Sequence, residues 1–179
     1  MKTVLLNNIL SEKELFFMYH KIISSPCWKL DGTSSSQSGF NYGPVLTVKD
    51  VDKIPEHYPF YLWGQTVVFR IAEVLKQNNV GIPTSLERIW FNCTYNGKTT
   101  QHWLHVDHEN TKWKSILLFI TPVWQPEWRG SFFVDGEEFK FKPGSAVVFD
   151  SSEYHQGESP ESETYNWQRI TCNILIKET

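Results

Sequence analysis

The stretch GSFFVDGEEFKFKPGSAVVFD, residues 130–150, contains three short runs of apolar and aromatic residues separated by turn-forming pairs. One pair is Asp135 with Gly136, and the other is Pro143 with Gly144. Such pairs are strong turn signals. Because the runs between them are shorter than a typical helix, they suit β-strands. The stretch therefore predicts three short strands joined by tight turns.

The same pattern extends on both sides of this stretch. The other runs rich in β-branched and aromatic residues are LERIWFNCTY (86–95), HWLHVD (102–107), WKSILLFITP (113–122) and WQRITCNILIKE (167–178). About seven or eight strands at this spacing are typical of a β-sandwich or barrel. We therefore predict an α+β fold, with a jelly-roll-like β core over about residues 86–177 and a helical part over about residues 1–85.

Two helices are predicted ahead of the β core. Residues 11–23 begin with Ser11 and Glu14, the two members of a capping box, and then repeat apolar residues at helical spacing. Residues 60–79 carry a broader apolar stripe of helical period. We expect both helices to pack on one sheet. The Ser- and Gly-rich stretch 31–43 is interpreted as a loop that could line a substrate groove.

The bulk properties exclude several classes of protein. A chain of 179 residues has the size of one domain, so we predict a single domain that spans the whole chain. The formal net charge of −3 gives no sign of binding to nucleic acids or anionic membranes. No apolar run is long enough to span a membrane, and Asn7 and Asn8 interrupt the apolar N-terminal stretch. These features predict a soluble, cytoplasmic protein.

The cysteines favour a reducing environment. The chain has three of them, and Cys27, Cys93 and Cys172 lie far apart in the sequence. An odd number without paired spacing fits neither a disulfide framework nor a thiolate metal site. We expect reduced and mostly buried thiols.

Four polar side chains lie close together in HWLHVDHEN, residues 102–110. On an extended strand, His105 and Asp107 share one face. The opposite face carries the other two, His102 and His108. A His and an Asp on one face can bind a single metal ion, and a third ligand would complete a facial triad. That candidate is His155, just after the predicted strand SAVVFD; because H-x-D often occurs by chance, structural histidines remain an alternative.

A further candidate is Arg169, which lies among apolar and β-branched residues of the last predicted strand. Thr171 and Asn173 follow at alternate positions and therefore share its face. Burying a guanidinium is costly unless it meets an anion, and its planar fork suits a carboxylate. The strand thus predicts a carboxylate-binding site. Alternatively, Arg169 faces solvent or pairs with one of three glutamates, Glu158, Glu161 and Glu163.

Together these residues resemble the Fe(II)/2-oxoglutarate-dependent dioxygenases, and more narrowly the prolyl hydroxylase branch with its collagen-type and oxygen-sensing enzymes. The resemblance rests on His105-x-Asp107, then His155, then Arg169 on the last core strand. Weaker similarities lie in YNGKTTQHWLHVD, in WRGSFFVDG and in KPGSAVVFDSSEYH. The likeness covers residues 86–177 well and the helical part only in outline.

The resemblance implies a double-stranded β-helix, the jelly-roll core also found in cupins. It implies that His105, Asp107 and His155 hold Fe(II). It further implies that Arg169 binds the far carboxylate of 2-oxoglutarate and that Tyr95 hydrogen-bonds this cosubstrate. Thr171 is implied in cosubstrate binding as well, and three further residues are implied around the pocket: Asn173, Phe119 and Trp103.

The implied reaction consumes O2 and 2-oxoglutarate and allows ascorbate as an accompanying reductant. It hydroxylates a C–H bond and releases succinate and CO2. The substrate expected from the narrower resemblance is a prolyl residue in a peptide or protein. The oligomeric state does not follow from the sequence.

Three departures from the family's pattern bear on this reading. The chain between His155 and Arg169 is longer than in the oxygen-sensing enzymes, so a loop must extend between them. Phe119 stands where those enzymes have a tyrosine that helps bind the far carboxylate, which leaves more of that binding to Arg169 and Thr171. Asn96 replaces a usual proline, which changes the stiffness of a turn.

Two alternatives stay open at this point. The same iron chemistry could act on another amino-acid side chain, on a small molecule or on an alkylated base. Leu175 argues against the base, because AlkB-type repair enzymes have a second arginine there. The other alternative is a non-catalytic jelly-roll binding module with structural histidines, and turnover of 2-oxoglutarate to succinate separates it from the enzymes.

Overall fold

The structure is a computed structural model that describes residues 1–26, 45–48, 54–94, 104–161 and 168–177. In these residues the chain forms two α-helices and nine β-strands. The helices are α1 (Glu12–Ile23) and α2 (Tyr58–Lys76). The strands are β1 (Val4–Leu6), β2 (Val45–Val48), β3 (Ser85–Thr94), β4 (Lys114–Phe119), β5 (Phe132–Val134), β6 (Glu137–Phe139), β7 (Ala146–Asp150), β8 (His155–Gly157) and β9 (Arg169–Lys177). The predicted α+β class is confirmed.

The strands form two antiparallel sheets. The larger sheet has six strands in the order β1-β7-β4-β9-β3-β2, and the smaller sheet has three in the order β6-β5-β8. β9 lies inside the larger sheet, where Asn173 pairs with Leu117 of β4 on one side and with Trp90 of β3 on the other. This central position explains why β9 is buried along almost its whole length.

The N-terminal part is less purely helical than the sequence predicted. β1 pairs with β7 and β2 pairs with β3, so this part supplies both outermost strands of the larger sheet. Runs of three or four residues are too short for a periodic signal in the sequence. Their partner strands lie far along the chain, and only the tertiary fold brings them together.

Alternation along β9 divides the interior into two cores. Even-numbered residues such as Cys172 face a core that includes Ile22 of α1 and Ile71 of α2. A second core lies between the sheets, where Leu117 of β4 and Phe132 of β5 pack. Both helices therefore cover one face of the larger sheet, as predicted. The opposite face of β9 is turned toward the smaller sheet.

Helix α1 begins as the sequence predicted. Ser11 Oγ accepts a hydrogen bond from Glu14 N at 3.3 Å, and Glu14 Oε2 accepts from Ser11 N at 2.8 Å. This capping box satisfies amides that the helix itself leaves unpaired. Glu14 also binds the guanidinium of Arg70 on α2, with Oε1 2.8 Å from Nη2. The hydrogen bond from Arg70 lowers the pKa of Glu14 to about 2 and links the two helices.

The strand predicted at residues 102–107 is only partly formed where the structure describes it. His105 makes one antiparallel bridge with His155, through His105 N to His155 O at 3.1 Å and His155 N to His105 O at 2.9 Å. Asp107 N then donates to Ser151 O at 3.0 Å. The segment is thus bonded to the start of β8 and to the turn before it, and β8 was not predicted as a strand from the sequence.

Several residues discussed above lie outside the described ranges. They are the loop 31–43, Cys27, Tyr95, Asn96, His102, Trp103 and Glu163. Cys93 and Cys172 are buried and form no disulfide, as expected. None of the helices in the described ranges is long and apolar enough to cross a bilayer.

Candidate metal centre

Three side chains with metal-binding atoms converge beside the start of β8. His105, Asp107 and His155 each offer one ligand atom, and these atoms lie within 4.8 Å of one another. Asp107 Oδ1 lies 3.6 Å from His155 Nε2, and the two imidazole centroids are 4.3 Å apart. The backbone bridge between the histidines holds them side by side. Within the described part of the chain, this is the one group of its kind.

The His155 ring is oriented for coordination by its own backbone neighbour. Its Nδ1 lies 3.0 Å from the carbonyl oxygen of Glu153. Because a carbonyl can only accept, Nδ1 carries a proton, and Nε2 is the ring nitrogen directed toward Asp107. The ring is buried, with 4% of the residue exposed. A hydrogen bond of this type commonly orients histidine ligands in metal sites.

The Asp107 carboxylate is held by β4. Ser115 Oγ donates to Asp107 Oδ2 at 2.6 Å, and the Asp107 side chain is 5% exposed. Burial raises the pKa of Asp107, but the interactions with His155 and Ser115 and the nearby His105 lower it more, so the pKa lies below its usual value. The carboxylate is therefore ionised near neutral pH, as a metal ligand must be. Nothing in the sequence pointed to Ser115.

His108 is not part of this group, as strand alternation predicted. Its ring stacks on Trp113 with centroids 3.9 Å apart and planes 10° apart. Its Nδ1 accepts a hydrogen bond from Asn110 N at 3.0 Å. The residue thus has a local structural role in the turn that follows Asp107.

A small cavity of about 50 Å³ joins the histidines and Asp107 to β9. Its wall includes Arg169, Thr171 and Asn173, the alternate residues that the sequence placed on one strand face. Five other lining residues were not predicted from the sequence: Trp90, Asn92, Leu117, Phe132 and Gly157. Asn92 pairs with Thr171 and Trp90 with Asn173, so alternation in β3 could have found them once the strand order was known.

Arg169 is buried, with 2% of its surface exposed. Its Nε donates to Gly130 O at 2.9 Å and its Nη2 to Ser131 O at 3.5 Å. The alternative in which Arg169 faces solvent is therefore wrong. Of the three glutamates weighed as its partners, Glu158 and Glu161 pair with Arg129 instead, and Glu163 lies beyond the described ranges.

Of the two further predicted pocket residues that the structure describes, Asn173 lines the cavity, whereas Phe119 lies in the core between the sheets. Phe119 is fully buried, pairs with Thr171 in the sheet register and packs on Phe141 at a centroid distance of 4.7 Å. It offers no hydroxyl to a ligand. Asn173 is 7% exposed, and its Nδ2 is a buried donor with no acceptor among the residues that the structure describes. Tyr95 and Trp103 cannot be compared, because both lie outside those residues.

A larger cavity of about 450 Å³ lies on the outer face of the smaller sheet. Aromatic and apolar side chains form part of its wall, together with Arg129, Ser131 and Glu158. The aromatic part contains Trp124 stacked on Phe141, with centroids 4.0 Å apart. This cavity contains no member of the metal-binding group.

Comparisons with known proteins identify the class to which this architecture corresponds. No protein-family model and no curated protein matches the sequence. Solved structures do match over almost the whole chain, and they include oxygenases that depend on 2-oxoglutarate and Fe(II). The fold is therefore the fold of the 2-oxoglutarate–Fe(II) oxygenases. This confirms, for the fold, the resemblance that the sequence indicated.

Three solved structures illustrate the likeness. A prolyl-4-hydroxylase of Pseudomonas putida matches with a TM-score of 0.63 and 16% identity, covering 98% of this chain and 92% of that chain. A prolyl hydroxylase from Trichoplax adhaerens, in complex with a hypoxia inducible factor peptide fragment, matches with a TM-score of 0.63 and 16% identity. The match covers 98% of this chain and 83% of that chain. EctD from S. alaskensis, with 2-oxoglutarate and 5-hydroxyectoine, matches with a TM-score of 0.66 and 13% identity. The match covers 98% of this chain and 71% of that chain. Identities this low carry the fold alone.

Proposed function

We propose that this protein is an Fe(II)- and 2-oxoglutarate-dependent dioxygenase that hydroxylates a C–H bond, with a prolyl residue of a peptide or protein as substrate. The observation that carries the proposal is the shared cavity, whose wall contains both the His105, Asp107 and His155 group and the buried Arg169. We further propose that residues 1–179 form one catalytic domain, whose strands follow the double-stranded β-helix connectivity.

The donor atoms fit the proposed metal. Two imidazole nitrogens and one carboxylate oxygen are the facial donor set of non-haem Fe(II) oxygenases, which leaves further coordination positions open. The His155 ring turns Nε2 toward Asp107 as the atom that would bind the metal, and Asp107 is ionised, as a metal-binding carboxylate must be. His105 is exposed, whereas His155 is buried. The proposed substrate would therefore approach from the side of His105.

The residues of β9 fit the proposed cosubstrate. The guanidinium of Arg169 would pair with the far carboxylate of 2-oxoglutarate, because its planar fork matches two carboxylate oxygens. Thr171 lies beside it on the same strand face and would donate its hydroxyl. Asn173 Nδ2, a buried donor without an acceptor in the described ranges, would bond an oxygen of a bound ligand. Tyr95 and Trp103 remain proposed members of the pocket from the resemblance alone.

The chemistry supplied by Fe(II) and 2-oxoglutarate in this family is hydroxylation by O2, with release of succinate and CO2 and with ascorbate as an optional reductant. The chain's own residues would bind and orient these groups and exclude water. Leu117 and Phe132 form apolar parts of the cavity wall, and Phe132 also packs against the His155 ring. A dry site protects reactive species and strengthens the electrostatic contacts within it.

The structural neighbours suggest two substrate classes. Prolyl hydroxylases are among the structural neighbours, and one of them is bound to a peptide. EctD, which was solved with 2-oxoglutarate and 5-hydroxyectoine, is equally similar in fold. A small molecule is therefore the second candidate substrate, since substrate choice resides in loops that vary on this scaffold.

The proposal is tested by incubating the protein with Fe(II), 2-oxoglutarate and a panel of proline-containing peptides and small cyclic amino acids. Succinate formation coupled to addition of one oxygen atom to a panel member is the expected result. Absence of succinate with the whole panel, together with failure to bind Fe(II) or Mn(II), would leave the non-catalytic binding module as the explanation.

Two variants test the proposed roles of His155 in metal binding and of Arg169 in cosubstrate binding. His155→Ala removes a ligand and should abolish metal binding, whereas Arg169→Ala should retain the metal and weaken 2-oxoglutarate binding. His108→Ala is the matched control, because His108 belongs to the same stretch but stacks on Trp113. Unchanged 2-oxoglutarate affinity in Arg169→Ala would show that the carboxylate site is assigned wrongly.

A further inference from the structure

One peptide group connects a buried carboxylate to Arg169. The N–H of Ser131 donates to Glu158 Oε2 at 3.1 Å, and the C=O of Gly130, in the same peptide group, accepts from Arg169 Nε at 2.9 Å. The N–H of Gly130 also donates to Glu158 Oε2, at 3.1 Å. Ser131 O accepts from Arg169 Nη2 at 3.5 Å. The segment Gly130–Ser131 is thus bonded to Glu158 through its amides and to Arg169 through its carbonyls.

The backbone of this segment is held in a conformation that L-residues rarely adopt. Arg129 has φ 58° and ψ −134°, and Gly130 has φ 80°. A Cβ on Gly130 would lie 2.7 Å from a ring carbon of Trp124 and 3.2 Å from Arg169 Cδ. The segment therefore lies directly against the arginine. Strained backbone of this kind persists only where surrounding contacts hold it.

Glu158 supplies those contacts. It is 8% exposed, and its second oxygen pairs with the guanidinium of Arg129. A buried carboxylate is costly unless it is well hydrogen-bonded, and three donors satisfy this one. Its charge polarises the Gly130–Ser131 peptide, which makes the Gly130 carbonyl a stronger acceptor for Arg169. Two of the five guanidinium N–H groups are thereby fixed, and this sets the direction of the others.

We infer that Glu158 is a positioning residue for the cosubstrate: it holds the Gly130–Ser131 segment and so aims Arg169 at the far carboxylate of 2-oxoglutarate. The inference rests on the proposed function. The orientation of Arg169 matters because Phe119, which pairs with Thr171 in the sheet register, offers no hydroxyl that could share the binding of that carboxylate. Glu158 itself bonds to the backbone and to Arg129, so it acts through Arg169.

The test compares substitutions at two glutamates that pair with the same arginine. Glu158→Ala removes the acceptor for both amides and should weaken 2-oxoglutarate binding to the Mn(II)-loaded protein about tenfold, as for other supporting residues of metal sites. Glu158→Gln keeps an acceptor oxygen but loses the charge, so about a threefold loss is expected. Glu161→Ala is the control, because Glu161 contacts Arg129 from an exposed position. It should bind 2-oxoglutarate as the unsubstituted protein does.

Metal affinity and steady-state kinetics separate positioning from general damage. In Glu158→Ala, the affinity for Mn(II) should stay within twofold, and the KM for 2-oxoglutarate should rise while kcat at saturating cosubstrate is largely kept. A parallel loss of metal affinity would overturn the inference, and so would unchanged 2-oxoglutarate affinity. If Glu158→Ala does not fold, the affinities of Glu158→Gln for Mn(II) and for 2-oxoglutarate test the positioning role instead.

The two proposals fail in different ways. If the unsubstituted, Mn(II)-loaded protein does not bind 2-oxoglutarate, the proposed function fails and the role of Glu158 fails with it. If that protein binds 2-oxoglutarate and both Glu158 variants bind it equally well, only the positioning role is overturned.

Discussion

At the residue scale, the hydroxyl of Ser115 fixes the orientation of the Asp107 carboxylate, a proposed metal ligand. Ser115 Oγ donates to Oδ2, which leaves Oδ1 as the oxygen nearest His155 Nε2. Supporting hydrogen bonds of this kind fix the rotamer of a ligand and contribute to metal affinity. Ser115 is a single buried serine among the apolar residues of β4, so its partner became clear only in three dimensions.

This contact predicts that Ser115→Ala weakens Mn(II) binding by about tenfold without unfolding the protein. The reason is that Asp107 loses the donor that orients it. Ser145→Ala is a matched control, since Ser145 is also buried and its hydroxyl has no partner within the described ranges. Calorimetric titration with Mn(II) measures both variants, and equal affinities would exclude a role for Ser115.

For Arg169, the sequence of its own strand predicts the face on which the side chain lies, but not its burial. Alternation in β9 correctly predicted that Arg169 and Thr171 share a face, because that periodicity is a local property of the extended chain. The sequence left open whether Arg169 is exposed. Its burial depends on the position of β9 between β3 and β4 and on the Gly130–Ser131 segment, which are long-range features.

At the scale of elements, α1 and α2 are joined by one ion pair that should respond to pH. Because Arg70 lowers the pKa of Glu14 to about 2 from 4.5, the folded state favours the ionised carboxylate. This contribution to stability is fully present above pH 4.5 and is lost as the pH falls toward 2. Both side chains are more than one-third exposed, so solvent screening limits the effect to about 1 kcal/mol or less.

We therefore expect Glu14→Gln to lower the free energy of unfolding at pH 6 by up to about 1 kcal/mol, and by less at pH 3. Urea unfolding at both values measures the difference. Glu12→Gln is the control, since Glu12 lies in the same helical turn outside the Arg70 pair. A Glu14→Gln effect that does not shrink on acidification would contradict the assigned cause.

The turn before β7 joins the N-terminal segment to the larger sheet through Gly144. Its carbonyl accepts from Ile9 N at 2.8 Å and from Leu10 N at 3.1 Å, and its amide donates to Phe119 O at 2.9 Å. Gly144 has φ 75°, and a Cβ there would lie 2.6 Å from the Leu10 carbonyl oxygen. Backbone cannot move aside as a flexible side chain can, so any side chain at this position should be strongly unfavourable.

Gly144→Ala is accordingly expected to destabilise the protein by about 3 kcal/mol, combining the left-handed backbone with the steric overlap. Gly136→Ala measures the cost of the left-handed backbone without the steric overlap. Gly136 has φ 82°, and no heavy atom lies within 4 Å of the added Cβ. That variant should lose only about 1 kcal/mol, the cost of the left-handed backbone alone. Thermal or urea unfolding compares them, and similar losses in both would argue against the overlap.

For the whole molecule, the proposed metal site links two parts of the chain that come together only in the folded state. His105 and Asp107 lie between β3 and β4, whereas His155 begins β8. A ligand that binds the folded protein alone stabilises it by mass action, by about 2.7 kcal/mol at 100 times its Kd. In a chain of this size that corresponds to about 5 to 10 °C in Tm.

Thermal unfolding should therefore shift upward with increasing Mn(II), and further when 2-oxoglutarate is added with the metal. His155→Ala should lose both shifts, because His155 would hold the metal, and 2-oxoglutarate would bind together with that metal in the proposed site. A shift from Mn(II) that persists in His155→Ala would place the metal elsewhere on the protein.

The sequence by itself determined features that depend on neighbouring residues. Strand and helix periodicity, the capping box at Ser11 and the shared face of His105 and Asp107 all follow from local geometry. Combined with the resemblance, these patterns also identified His155 and Arg169 as candidates. The short strands β1 and β2 escaped detection because a few residues carry no period.

Only the tertiary structure decided which distant groups meet. It brought His155 within 3.6 Å of Asp107, set Ser115 behind that carboxylate and placed Gly130–Ser131 between Glu158 and Arg169. These contacts depend on strand order and register, which arise from packing the whole chain at once. A local pattern specifies the face on which a side chain lies, whereas its partner is set by the strand that packs against that face.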